Sequence, residues 1–210
     1  CLPFEVVPCD IFITEATFGL PVFRHPDASA EIGRLLASLE QFPERTHLVG
    51  AYALGKAQRV IKLLRQAGYD RPIYIHGALE ALCDLYEELG VDLGRIEHAT
   101  NDKLPKSAFA GAIVIGPPGS FNDRWSRRFS DPIVAFASGW MNGGRSRFHS
   151  GYSDQADWDE LIDTVRATGA GEVWVTHGRE EALVRWCALQ GIAARPLHLV
   201  GYEEEEGEAA

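Results

Sequence analysis

An α/β fold is predicted by three observations on this 210-residue sequence. Short β-branched runs alternate with helical apolar stripes, the helices are closed by Gly or Pro, and the composition is that of a chain with a sizeable core. Apolar residues make up 46% and charged ones 24%. The 21 glycines and 11 prolines come to about 15% of the chain, short of the roughly 25–30% of low-complexity chains. Length allows one large domain or two small ones.

Taken in order, residues 11–14 read as the first strand. Pro26-Asp27 is a helix start, and Ile32, Leu35, Leu36 and Leu39 fall at i, i+3, i+4 and i+7 until Phe42-Pro43 stops the helix. Residues 46–49 then read as a strand, 57–67 as a helix closed by Gly68, and 73–75 as a strand. The alternation continues with a helix over 79–89 closed by Gly90, then strands over 112–115 and 133–137. Crossover helices between strands predict a largely parallel sheet. Residues 140–152, with Asn142-Gly143-Gly144 and no period, read as a loop and a joint between two halves. Asp157 and Glu160 have capping-box spacing ahead of the stripe Trp158, Leu161, Ile162 and Val165. A strand over 172–176, a helix over 180–190 and a strand over 193–200 complete the fold before a solvated acidic tail, 202–210.

Charge and cysteine usage exclude several classes. The net charge is −10, and Glu203 to Glu206 with Glu208 supply five of those charges. A body this acidic has no global field for nucleic acid, so a polyanion partner must meet a local basic patch or metal ions. The longest apolar stretch is about half the roughly 20 residues of a membrane span, and no charged-then-apolar leader opens the chain. Cys1, Cys9, Cys83 and Cys187 show no CxxC spacing, which suits a reducing, cytoplasmic location.

In parallel sheets ligands bind beyond the carboxyl ends of strands. The residues there are polar: Glu15 after the first strand, His76 after Ile75, Ser138-Gly139 after Ala137, Ser153-Asp154-Gln155 before the capped helix, and His177-Gly178 after Thr176. Each can also be a residue that closes a strand or caps a helix, and the cap alone explains Asp157. Gly50 to Lys56 matches G-x-x-x-x-G-K between a strand and a helix. Ala57 stands where a phosphate loop needs a Ser or Thr for magnesium, and Gly116-Pro117 stand where a second acidic strand end belongs. A tight strand-to-helix turn whose N–H groups attract a phosphate is the plainer reading. His177, at a strand tip before Gly178 and a helix, is placed to present an imidazole, a good zinc ligand when neutral.

Thr14-Glu15-Ala-Thr-Phe-Gly19, Gly50-Ala-Tyr-Ala-Leu-Gly-Lys-Ala-Gln58, Phe136-Ala-Ser-Gly-Trp140, Ser153-Asp-Gln155-Ala-Asp157 and His177-Gly-Arg-Glu-Glu-Ala182 follow one another in the order of a known set. The chain resembles the β-CASP branch of the metallo-β-lactamase fold, and within it the bacterial exonucleases associated with ATP-dependent DNA ligases. The resemblance implies a β-CASP cap with a Rossmann-like parallel sheet, residues 20–137. It implies the carboxyl-terminal part of a metallo-β-lactamase αββα domain in residues 1–19 and 138–201, with the active site in the cleft between them. Glu15 becomes the motif A acid that orients a histidine, and His177 the motif C ligand of one zinc in a two-zinc centre. The motif B histidine of Ser-Asp-His-Ala-Asp is here Gln155, which hydrogen-bonds but carries no titratable proton. The H-x-H-x-D-H metal motif, a further histidine and a bridging aspartate would precede residue 1. A chain that opens on Cys1 without Met is therefore expected to be the carboxyl-terminal portion of a longer enzyme, inactive alone.

The activity implied is metal-dependent phosphodiester hydrolysis on DNA, with RNA as the near alternative. Substrate contacts are expected from Ser138, Gly139, Lys56, Arg124 and Arg128, where Arg124, Arg127 and Arg128 with Trp125 form a local basic and aromatic cluster. That cluster also reads as a solvated helix face with Trp125 packed inward. A non-catalytic β-CASP-type protein that binds nucleic acid or a subunit is a second class, which Gln155 favours. A nucleotide-binding enzyme built on Gly50 to Lys56 is a third.

Overall fold

In the computed structural model, residues 5–100, 104–138, 148–150 and 155–197 are described. In chain order the elements are β1 (Ile11–Ala16), α1 (Ala28–Gln41), β2 (His47–Gly50), α2 (Lys56–Gln66), β3 (Ile73–Ile75), α3 (Glu80–Glu88), β4 (Ile96–His98), β5 (Ile113–Gly116), β6 (Ile133–Ala137), β7 (Phe148–Ser150), α4 (Trp158–Thr168), β8 (Glu172–Gly178), α5 (Glu180–Leu189) and β9 (Ala193–Pro196). The chain is α/β with two sheets whose strand pairs are all parallel. It divides into two units, Cys1–Arg24 with Gln155–Ala210, and His25–Asp154. Leu20 to Arg24 thus join the smaller unit, and residues 138–154 join the larger. Among the described residues no helix is long and apolar enough to cross a membrane.

The larger unit carries a six-stranded sheet in the order β4-β3-β5-β2-β6-β7. Every residue of β2, β3 and β5 is buried, which is why these strands read as continuous apolar runs rather than alternations. One face packs Val49, Ile73, Ile113 and Ile115 against Val60, Ile61 and Leu64 of α2 and Ile32 and Leu39 of α1. The other face is aromatic, with Tyr74, Phe109 and Phe129 around Leu48 and Val114. Asp27 begins α1 as expected, its carboxylate accepting from the amides of Ser29 and Ala30 at 2.7 and 3.2 Å.

One guanidinium fixes the amino-terminal edge of this sheet. Arg65 donates to the carbonyls of Leu93 (3.0 Å), Tyr69 (2.7 Å), Arg71 (2.7 Å) and Arg95 (2.6 Å). It joins the loop that enters β3 to the loop that enters β4, a role that its rigid planar fork suits and a point-charge ammonium does not.

Two strands escaped the sequence pattern. β4, Ile96-Glu97-His98, has one apolar residue where the equally short β3 has an unbroken apolar run. β7 lies inside the stretch read as a loop, where Phe148, His149 and Ser150 pair with Ala135, Phe136 and Ala137 of β6. Backbone pairing at a sheet edge needs no apolar alternation. The rest of that stretch lies outside the described residues, as do residues 198–200 of the expected last strand and the acidic tail.

In the smaller unit the sheet order is β1-β8-β9. Ala16, Val173 and Val175 pack against Leu161 and Val165 of α4 and Leu183 and Cys187 of α5. The capping box of α4 is formed in both directions: Glu160 N–H donates to Asp157 Oδ1 at 3.0 Å, and Asp157 N–H to Glu160 Oε2 at 3.1 Å. The Trp158 amide donates to the Phe23 carbonyl at 3.1 Å, and Arg24 grips Asp159 through two bonds of 2.7 and 3.2 Å.

His47 gives the larger unit a pH-dependent stability. Its ring is fully buried, with Nε2 2.8 Å from Ser38 Oγ and Nδ1 3.3 Å from the Arg45 carbonyl. Burial, the dominant cause, holds its pKa below the usual value. The unfolded chain then binds a proton, near pH 6.5, that the native state resists, so this contribution is complete above about pH 6.5 and is lost as pH falls. Urea unfolding from about pH 7.5 to 5 should show the midpoint dropping in the parent, with a shallower slope in His47→Gln. Equal slopes would remove His47 as the cause.

Candidate functional site

The site begins with a register change. Thr14 pairs with Val175, but the next pair is Ala16 with Gly178. One residue of β1, Glu15, therefore opposes two of β8, Thr176 and His177. This is a bulge on β8, a device that re-aims side chains at strand ends. Glu15 and His177 thus both lie at the carboxyl end of the β1/β8 pair. Both predicted strands fall short of it, because the pairing runs on to Ala16 and Gly178.

Close backbone contact locks the bulge. Gly178 has φ +94°, and a Cβ there would lie 2.4 Å from the carbonyl carbon and oxygen of Ala16. A Cβ on Gly19 would lie 2.7 Å from Ala16 Cβ. With both side chains absent, the Ala16 carbonyl accepts from Gly19 N–H at 2.9 Å and from Arg179 N–H at 2.8 Å. The turn after β1 and the end of β8 are thus tied to a single acceptor.

Glu15 is half-buried, and its Oε2 accepts from the Thr17 amide at 2.9 Å and from the Thr17 hydroxyl. His177 is exposed at the tip of β8. Gln155 is exposed on the segment entering α4, two residues before the cap Asp157, and belongs to the same unit as Glu15 and His177. Gly139, Ser153 and Asp154 lie outside the described residues. Among the described residues no group of three His, Cys, Asp or Glu side chains comes together to hold a metal ion.

The larger unit holds the other expected contacts. Lys56 opens α2 and is 5% exposed, with Nζ 5.1 Å from the centroid of the Tyr52 ring. Three amides of the segment are committed within the unit: Ala51 N–H donates to Gly116 O (3.0 Å), Lys56 N–H to Leu54 O (2.9 Å), and Ala57 N–H to Tyr52 O (3.1 Å). Gly50 answers to packing, since a Cβ there would sit 2.4 Å from Cδ1 of Phe136. Ser138 follows β6.

The basic cluster divides by position. Arg124 to Arg128 form a short 3-10 turn. Trp125 turns inward, edge-on to His76 at 4.7 Å and to Phe129 at 5.1 Å, and stacked on Phe121 at 6.2 Å. It is partly buried, packed against the aromatic face of the sheet. Arg128 donates to the Ala99 carbonyl, whereas Arg124 and Arg127 are exposed. His76 caps the next turn, its Nδ1 accepting from the Ala78 amide at 3.1 Å, and burial lowers its pKa. Sequence reasoning missed Thr17 and the bulge; the glycines at 19 and 178 were their visible trace.

No family model and no curated protein matches the chain. In fold it is similar to a solved protein of unknown function from Enterococcus faecalis V583, with a TM-score of 0.54 and 13% identity, over 94% of this chain and 52% of that one. The chain thus spans about half the length of that protein, and at this identity the likeness concerns the α/β fold alone.

If the close approach at Ala16 sets the rim, glycine replacements should differ sharply. Gly178→Ala should destabilise the protein by at least about 2 kcal/mol, through a positive φ and a backbone clash. Gly33→Ala, in α1 with nothing within 4 Å of the added Cβ, should stabilise it by about 0.5–1 kcal/mol. Urea unfolding measures both, and a harmless Gly178→Ala would show that the contact is soft.

Proposed function

We propose that the chain serves metal-dependent hydrolysis of DNA phosphodiester bonds, and that the β1/β8 rim is part of the reacting site. The smaller unit is then part of a metallo-β-lactamase αββα domain, and the larger a β-CASP cap. The observation that carries this reading is the parallel β1/β8 pair, which carries a glutamate and a histidine from strands far apart in sequence to one strand end. Two parallel α/β units and the order of the motifs support it.

The residues fit the implied zinc only in part. An exposed strand-tip imidazole such as His177 suits one ligand position, but a zinc site takes at least three protein ligands, and the described residues bring no such group together. When bound, the metal would supply an activated water and charge stabilisation. The residues of this chain have narrower roles: His177 offers a nitrogen donor, Glu15 an acceptor beside it, and the exposed Arg124 and Arg127 positive charge for phosphates.

Gln155 favours a second reading, in which the protein binds nucleic acid or a subunit without cutting. An amide can hold a phosphate oxygen but cannot deliver a proton to a leaving alkoxide, a step worth about 10²–10⁴-fold when an imidazole performs it.

The two readings separate in the complete gene product. For a nuclease, His177→Ala should reduce bound zinc and lower DNA hydrolysis by at least about 100-fold, whereas Lys56→Ala, at a side chain only 5% exposed, should act mainly on stability. Gln155→His should raise turnover. DNA binding without hydrolysis in any divalent metal would establish the second reading. Turnover that requires ATP and is abolished by Lys56→Ala, with His177→Ala silent, would overturn both.

A further inference from the structure

The reading of Glu15 leaves open what keeps its carboxylate in place. A glutamate has three rotatable side-chain bonds, and holding it in one rotamer costs conformational freedom. Two donors from one residue meet that need here. The backbone N–H and the hydroxyl of Thr17 both bond Glu15 Oε2, the amide at 2.9 Å. Among the described residues Oε1 has no partner.

The donor is itself fixed. Thr17 lies between Ala16, 0% exposed, and Phe18, 1% exposed. Phe18 packs edge-on to Phe23 at 5.4 Å, and Ala16 is held through its carbonyl by the Gly19 and Arg179 amides. Neither neighbour of Thr17 can move without disturbing the core, so both of its donors stay aimed at one oxygen.

We propose that Thr17 is a positioning residue, which holds Glu15 by one carboxylate oxygen and leaves the other open at the strand end that Glu15 shares with His177. The proposal rests on the nuclease reading of that rim. A carboxylate pinned at one oxygen can accept from an imidazole or amide with the other without first searching for its rotamer. Supporting residues of this kind typically contribute 10- to 100-fold to activity. The backbone amide alone leaves the carboxylate free to pivot about a single bond, and the hydroxyl removes that freedom.

The test uses the complete gene product, a fluorescein-labelled DNA strand and zinc or manganese. Thr17→Val keeps the amide and the shape but removes the hydroxyl, Thr17→Ala removes it without branching should valine disturb folding, and Thr17→Ser keeps it. Thr17→Val or Thr17→Ala should lower kcat about 10-fold at unchanged KM, with Thr17→Ser close to the parent. In a Glu15→Gln background the same change should have little further effect, because the two residues act as one unit. Equal losses in the serine and valine variants, or a valine loss that persists undiminished beside Glu15→Gln, would overturn the inference while leaving the rim in place. A Glu15→Gln variant with full turnover would overturn both.

Discussion

The Ala16 carbonyl is the contact on which the candidate site depends. It accepts from Gly19 and Arg179, and it can do so only because positions 19 and 178 carry no side chain. That double acceptance ends the β1/β8 ladder with two residues facing one. Parallel pairing of β1 with β8 brings Glu15 and His177, more than a hundred and fifty residues apart in the chain, to the same strand end. The bulge shifts that end by one residue, so that Ala16 faces Gly178 rather than His177.

The same kind of constraint has a different meaning in the larger unit. Gly50 also stands at the end of a strand and before a helix, and it also permits a close approach. There the approaching atoms are the ring of Phe136, and the amides that follow close their own turn. A glycine-rich strand end is therefore compatible with a phosphate cradle, with ring packing or with a bulge. What decides among them is where the neighbouring N–H groups are spent. After Gly50 the amides of Ala51, Lys56 and Ala57 are spent on carbonyls of the turn and the sheet, and at Gly19 the amide fixes a carboxylate-bearing strand.

Much of the architecture was legible in the sequence because it is written in local chemistry. The continuous apolar runs of β2, β3, β5 and β6, the stripes of α1 and α4, the Asp27 cap and the Asp157–Glu160 box each report on their own few residues. Glu15 and His177 were legible as polar residues beyond strand ends. Their adjacency was not, since register is set by pairing between distant strands and a single-residue bulge leaves no periodic mark. β4 and β7 are as short as β3 but carry one apolar residue each, Ile96 and Phe148, so they leave no apolar run to read. Trp125 lies in a 3-10 turn without amphipathic period, so its inward packing against His76, Phe121 and Phe129 emerges only from tertiary structure. Arg65 resembles any helical surface arginine in sequence, and its four carbonyl partners come from loops that the fold brings together.

If the proposed nuclease holds zinc at the strand end shared by Glu15 and His177, anomalous scattering from crystals of the complete gene product, measured across the zinc edge, should place a zinc peak about 2.0–2.1 Å from an imidazole nitrogen of His177, with Glu15 outside the metal's coordination. Zinc bound with His177 outside its ligand set would contradict this proposal.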